Sequence, residues 1–119
     1  MSVKTINAML DWVEDNLEQE PILPQIDLYV GYSEYYCSTK FHEYVGIPFK
    51  KYVFKRKLSC AANELIHTEC RIIEIAMRFG FSSHEAFTRS FKKEYGCSPY
   101  QYRKQHPNIQ AYERIHLEE

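Results

Sequence analysis

Apolar residues recur along this chain at helical spacing, and no strand-like alternation persists. Ile6, Leu10, Val13 and Leu17 fall at i, i+4, i+7 and i+11, which puts them on one face of a helix expected from about Thr5 to Leu17. Glu20, Pro21 and Pro24 end it, and a shorter helix is expected over roughly 24–30. Gly31-Tyr32 then turns the chain, and Ser33 has the chemistry of an N-cap for a helix reaching about Val45. Gly46-Ile47-Pro48 breaks it, and the longest helix runs from Phe49 to about His67 with Phe54, Leu58, Ala61 and Leu65 as its apolar stripe. A further helix is expected at about 71–78, followed by a turn at Gly80-Phe81. Ser82-Ser83-His84-Glu85 reads as a capping box, Ser82 with Glu85, for a helix reaching about Tyr95, where Gly96 stops it. Ser98-Pro99 opens a last short helix, with proline at its first position. The fold class is all-α, with about seven helices; Phe41, Phe54, Phe87, Phe91, Leu58 and Leu65 are assigned to the core.

The two halves repeat one scheme. Gly31, Ser33, Phe41, Gly46 and Tyr52 have counterparts in Gly80, Ser82, Phe91, Gly96 and Tyr102. The offset is 49 before Phe41 and 50 from it onward, so the second copy carries one added residue, inside or just before its second helix. Two copies are too few for a solenoid. They read as two helix-turn-helix subdomains, 5–48 and 68–106, joined by a linker helix at 49–67. A tail at 107–119 is left over and is open to leading into a further domain.

Net charge alters the functional reading only when it is placed along the chain. The total of −1 argues against an anionic partner, but residues 1–39 hold one base and seven acids, a net of −6. Residues 40–106 hold thirteen bases and six acids, a net of +7, and the tail is at −2. An acidic cap on a basic body suggests one face for an anion and another for something else. The four cysteines form no C-x-x-C pair, and the chain has no leader-like start and no apolar run of membrane-spanning length, so free thiols in a reducing cytoplasm are expected, without a membrane partner.

The stretch Ile75-Ala76-Met77-Arg78-Phe79-Gly80-Phe81-Ser82 has the parts of a helix-turn-helix: a small residue four before a glycine, then a capped helix. Such a unit presents its second helix to a major groove. The longer run Ile72-Ile73-Glu74-Ile75-Ala76, Gly80-Phe81, Phe87, Phe91-Lys92-Lys93 and Gly96-Cys97-Ser98-Pro99-Tyr100-Gln101-Tyr102-Arg103 closely resembles the signature of the AraC/XylS family of bacterial transcription regulators. The likeness extends from about Ile6 to Arg103, and Leu10-Asp11-Trp12-Val13-Glu14-Asp15-Asn16-Leu17 looks like the first helix of the family's small members. The resemblance implies a monomer that places two recognition helices in successive major grooves of double-stranded DNA. It also implies activation of transcription through RNA polymerase, with association with the nucleoid when bound.

On the second recognition helix, Ser83, His84, Glu85, Thr88 and Arg89 are the candidate base contacts. Thr88 and Arg89 match the family's outward pair, and arginine's two-pronged geometry fits guanine. His84 and Glu85 stand where the small members carry two glutamines. For Glu85, closing the capping box is favoured over a base contact; the alternatives for the others are an ordinary surface residue at His84 and a solvated base or salt-bridge partner at Arg89. On the first recognition helix the candidates are Glu34, Tyr35, Ser38 and Thr39, but Thr39 stands where the small members have arginine and Tyr35 where they have tryptophan. Asp27 occupies a helix-crossing position usually held by a small residue. The first unit is therefore expected to read a different or weaker site, through shape and phosphates. Lys40, His42, Lys50, Lys51, Arg56, Lys92 and Lys93 are the candidate phosphate contacts.

His67 and Cys70 have a metal-compatible spacing, but two ligands do not make a site. No metal, cofactor or catalytic residue is expected, and the chain is not read as an enzyme. The alternative to a DNA reader is a protein-interaction module on the same scaffold, suggested by the acidic first helix, Glu34, Asp27 and the arginine missing at 39.

Overall fold

The computed structural model describes residues 1–19 and 30–119. The short helix expected at 24–30, and with it Asp27, falls outside the described residues apart from Val30. The described elements are α1 (Val3–Asp15), a 3-10 turn (Leu17–Gln19), α2 (Glu34–Val45), α3 (Phe49–His67), α4 (Ile72–Arg78), α5 (His84–Tyr95) and α6 (Pro99–Gln105). No strand occurs among the described residues, whose regular elements are all helical.

The chain divides into two units. One comprises residues 1–56 together with 113–119; the other comprises 57–112. Helix α3 supplies its first half to the first unit and its second half to the second.

In the first unit, α1 begins two residues earlier than expected because Ser2 accepts from the Thr5 amide. It ends at Asp15, where the Asn16 amide group turns back to the Trp12 carbonyl. Ile6, Met9, Leu10, Val13 and Leu17 form its buried stripe. Helix α2 packs on α1, and Cys37 and Phe41 of α2 and Phe49, Tyr52 and Val53 of α3 are also buried in this unit. The Phe41 ring meets Phe49 edge-on at 5.2 Å and Tyr52 at 5.6 Å.

Arg56 departs from its expected role at a phosphate. Helical spacing carries it inward with Tyr52 and Val53, it is 8% exposed, and its guanidinium forks onto the Glu14 carboxylate of α1. Phe54 also departs from expectation: assigned to the core, it is 41% exposed. It lies about 200° round the helix from Tyr52. It belongs neither to the buried set 49, 52, 53 and 56 of the first unit nor to Leu58, Ala61, Ala62 and Leu65 of the second.

The last part of the tail, residues 113–119, belongs to the first unit. The buried Asn7 side chain donates to the Leu117 carbonyl and accepts from the Leu117 amide, both at 2.8 Å. The Ile115 amide donates to the Tyr52 hydroxyl at 3.0 Å, and Arg114 pairs with Asp11. A carboxamide has the same donor and acceptor as a peptide bond, so Asn7 pairs with the Leu117 backbone through both of its groups.

The second unit closes around Leu58, Ala61, Ala62, Leu65, Ile75, Ala76, Phe79, Phe87, Phe91, Tyr95 and Tyr102. The α4 helix ends in a Schellman motif: the Phe81 amide bonds the Ala76 carbonyl at 3.0 Å and the Gly80 amide bonds the Met77 carbonyl at 3.1 Å. This needs Gly80 at φ 84°, a left-handed conformation, while buried Ala76 leaves room for the crossing helix.

The capping box expected between Ser82 and Glu85 is not formed. Ser83 is the N-cap of α5, its hydroxyl accepting from the Ala86 amide at 3.0 Å, and Glu85 sits inside the first turn. The matching cap in the first unit is Ser33, which accepts from the Tyr36 amide. Ser33 and Ser83 are 50 apart, whereas Gly31 and Gly80 are 49 apart. The added residue of the second copy therefore lies in the turn, before the helix. A capping box does form at Ser98 and Gln101, at the start of α6.

Two outcomes are expected in urea melts. Ser83→Ala should cost about 1 kcal/mol through the lost cap, while Ser82→Ala changes stability by less than about 0.5 kcal/mol. Glu14→Ala should destabilise the first unit, by up to about 3 kcal/mol, because it takes the Glu14 carboxylate away from the buried Arg56 guanidinium.

Candidate nucleic-acid interface

Helices α2 and α5 are built alike. Each has twelve residues, a serine N-cap and a left-handed glycine C-cap, Gly46 or Gly96. Each is pinned by aromatic residues on its inner face, Phe41 in α2 and Phe87, Phe91 and Tyr95 in α5. Phe91 stacks on Tyr95 at 4.5 Å and meets Tyr102 edge-on at 5.3 Å. With that face buried, the opposite arc of each helix must face outward.

On α5, His84, Glu85 and Arg89 are exposed, and Thr88 is half-buried between them. Ser83 is half-buried, with its hydroxyl engaged in the cap. Lys92 and Lys93 are exposed in the last turn, where cations also suit the helix dipole. The five residues expected at bases and the two lysines thus fall on the outward arc and its two ends. Glu85, relieved of any capping duty, adds a negative charge to that arc.

On α2, Glu34, Tyr35, Thr39 and His42 are exposed, while Ser38 and Lys40 are half-buried. Tyr35 is 82% exposed, an unusual position for a ring that size. Lys40 bonds Glu43 at 3.1 Å and lies 5.8 Å from the centre of the Tyr36 ring. The hydrogen bond to Glu43, followed by the carboxylate's charge, holds the Lys40 ammonium above its ordinary pKa. Lys50 and Lys51 are exposed at the start of α3. The first unit therefore presents aromatic and hydroxyl groups and the Glu34 carboxylate on this helix, and the exposed lysines 50 and 51 stand on the next.

The arginines sort into two kinds. Arg56 is held by Glu14, Arg71 by Glu74 at 2.6 Å, Arg78 by Glu64 at 3.1 Å, and Arg114 by Asp11. Arg103 donates to the carbonyls of Leu65 at 2.9 Å and Thr68 at 3.3 Å, meeting acceptors left open where α3 ends. Arg89 has no such partner among the described residues. The architectural roles of Arg103 and Arg78 carried no signal in the sequence, since spacing does not tell which side chain will reach a helix end. Among the described residues, no group of three or more His, Cys, Asp or Glu is placed to hold a metal, and no helix is long and apolar enough to cross a membrane.

Comparison with known proteins agrees with this geometry. A family model described as a helix-turn-helix domain matches residues 28–105. The multiple antibiotic resistance protein MarA of Escherichia coli is 34% identical over 83% of this chain and 78% of its own length. The F1 operon positive regulatory protein of Yersinia pestis is 41% identical over 83% of this chain, which spans only 33% of that longer protein. A solved transcriptional regulator with an AraC-type DNA-binding domain, from Chromobacterium violaceum, superposes with a TM-score of 0.81 at 25% identity, over 90% of this chain and 96% of that one. With its repeated helix-turn-helix units and these relatives, the chain belongs to the AraC/XylS family of DNA-binding transcription regulators, a family of regulators rather than enzymes.

Proposed function

We propose that the protein activates transcription by binding duplex DNA as a monomer, with α2 and α5 in successive major grooves. Among the relatives, the Yersinia pestis protein is by name a positive regulator, which supports the direction of the effect. RNA polymerase is the proposed protein partner, and the bound protein resides on the bacterial nucleoid in the cytoplasm.

The observation that carries the reading is Arg89. Every other arginine of the chain is engaged within the protein. An exposed guanidinium on the outward arc of α5 adds nothing to the fold and is shaped for the O6 and N7 of guanine. Thr88 and His84 flank it, and Lys92 and Lys93 are placed for phosphates. The first unit is assigned the lesser share of base reading. Its helix offers Tyr35, Ser38 and Thr39, while Lys50, Lys51 and His42 supply backbone attraction.

Selection of bound duplexes from a random pool, followed by anisotropy titration, tests this. Two half-sites about 10 base pairs apart are expected. Arg89→Ala should lose roughly five- to a hundredfold in discrimination between the selected and random duplex, and the affinity of the intact protein should fall steeply and log-linearly with salt. If the protein binds no duplex at low salt, the DNA-reading function is wrong and the scaffold serves a protein partner instead. If Arg89→Ala discriminates as well as the intact protein, the base reader lies elsewhere.

A further inference from the structure

Residues 113–119 hold the first unit at three places. Leu117 gives both its amide and its carbonyl to the Asn7 side chain, which is buried on α1. The Ile115 amide reaches the hydroxyl of buried Tyr52 on α3, and Arg114 pairs with Asp11, one turn along α1 from Asn7. Ile115 and Leu117 are half-buried, while Arg114, His116 and Glu118 are exposed. The segment therefore ties α1 to α3.

Those are the two helices that hold α2. On one side α2 packs on α1, and its Tyr44 hydroxyl donates to the Met1 carbonyl at 2.9 Å. On the other side Phe41 of α2 lies against Phe49 and Tyr52 of α3. Tyr52 thus meets α2 with its ring and the tail with its hydroxyl. Another tie between α1 and α3 is the pair of Glu14 with Arg56. Asn7 and Glu14 are seven positions apart, roughly 10 Å along the helix axis. A helix pinned at one point can pivot about it, whereas one pinned at two points cannot.

We propose that residues 113–119 are a positioning strap for the first recognition helix, and that their engagement sets how well α2 fits the first half-site. The inference rests on the reading of α2 as a helix inserted in a major groove. Ile115 and Leu117 are positioning residues in it, acting on DNA only through Tyr52, Asn7 and α2. They act by main-chain amides, which proline removes.

The test uses the full chain carrying Ile115→Pro, Leu117→Pro or both, so that the clasp loses amide donors while every helix keeps its sequence. His116→Pro is the control, because the clasp does not use its amide. Three duplexes are titrated by anisotropy: the one selected from the random pool, and versions with the first or the second half-site scrambled. The double variant is expected to bind the selected duplex roughly three- to tenfold more weakly than wild type, the net worth of about one hydrogen bond carried through α2. It should show the same loss with the second half-site scrambled, and bind like wild type with the first scrambled. His116→Pro should stay within about twofold on all three. Titrations are made where helix content by circular dichroism equals that of wild type, so that unfolding does not stand in for mispositioning. Tyr52→Phe keeps the ring and removes the hydroxyl. Ile115→Pro should therefore weaken binding in the wild type and have no further effect in the Tyr52→Phe protein. If the double variant loses helix at every temperature, that pair decides.

The proposal is overturned if the double variant binds the selected duplex like wild type, or loses as much when the first half-site is scrambled. It is overturned equally if Ile115→Pro weakens the Tyr52→Phe protein as much as it weakens wild type. A different result is a wild type indifferent to scrambling of the first half-site. That removes the reading of α2 itself, and the role of the strap with it.

Discussion

Each recognition helix is held by aromatic rings on its inner face, and the rest of the molecule's surface chemistry depends on that grip. Phe41 is clasped by Phe49 and Tyr52; Phe91 is clasped by Tyr95, Tyr102 and Phe87. Ring pairs of this kind add about 0.5–1.5 kcal/mol each beyond the area they bury. More important is that they fix the rotation of the helix about its own axis. A helix free to roll by one residue would swing Arg89 through about 100° and out of its arc. The serine caps and glycine stops set where α2 and α5 begin and end, and the rings set which way they face.

Charge is distributed by the same logic. A guanidinium is a strong ligand for any carboxylate or open carbonyl within reach, so an arginine left over for an external partner has to be kept away from such groups. Four of the chain's arginines are taken up by acids on neighbouring elements or one turn away, and Arg103 by the carbonyls where α3 ends. The acidic cap is partly explained by this. Glu14 and Asp11 are counterions for Arg56 and Arg114 as much as they are a negative face. The net charge of each sequence region therefore overstates the field available to a partner.

Much of the architecture was legible in the sequence because helices are punctuated locally. Ser33, Ser98-Pro99, Gly46, Gly80 and Gly96 mark ends through backbone chemistry that needs no tertiary context. The failures came where two local solutions competed or where the third dimension decided. Ser82 and Ser83 both have capping chemistry, and the one that packs Phe87 and Phe91 inward won. The stripe through Phe54 assumed that α3 has a single buried face, whereas it serves two units with different buried sets. Arg56 looked like its lysine neighbours until Glu14 of α1 was found against it. The tail gave no sign of docking, because a carboxamide that grips a peptide backbone reads no particular side chain. At the recognition helices the outward positions were readable from period alone, while the inward turn of the Thr88 hydroxyl was not.

The clasp between Asn7 and Leu117 joins residues 110 apart, and it makes the first unit discontinuous in sequence while the second is a single uninterrupted segment, 57–112. Synthesis proceeds from the N-terminus, and domains ordinarily fold in that order. Here the order in which the two segments are completed is inverted. All residues of the second unit are synthesised before Arg114, Ile115 and Leu117. The first unit, although its helices are made earlier, is complete only when residues 113–119 have been added. Closing so long a loop is cheap once the intervening segment is already compact, since the ends are then tethered by a folded body and not by a free coil.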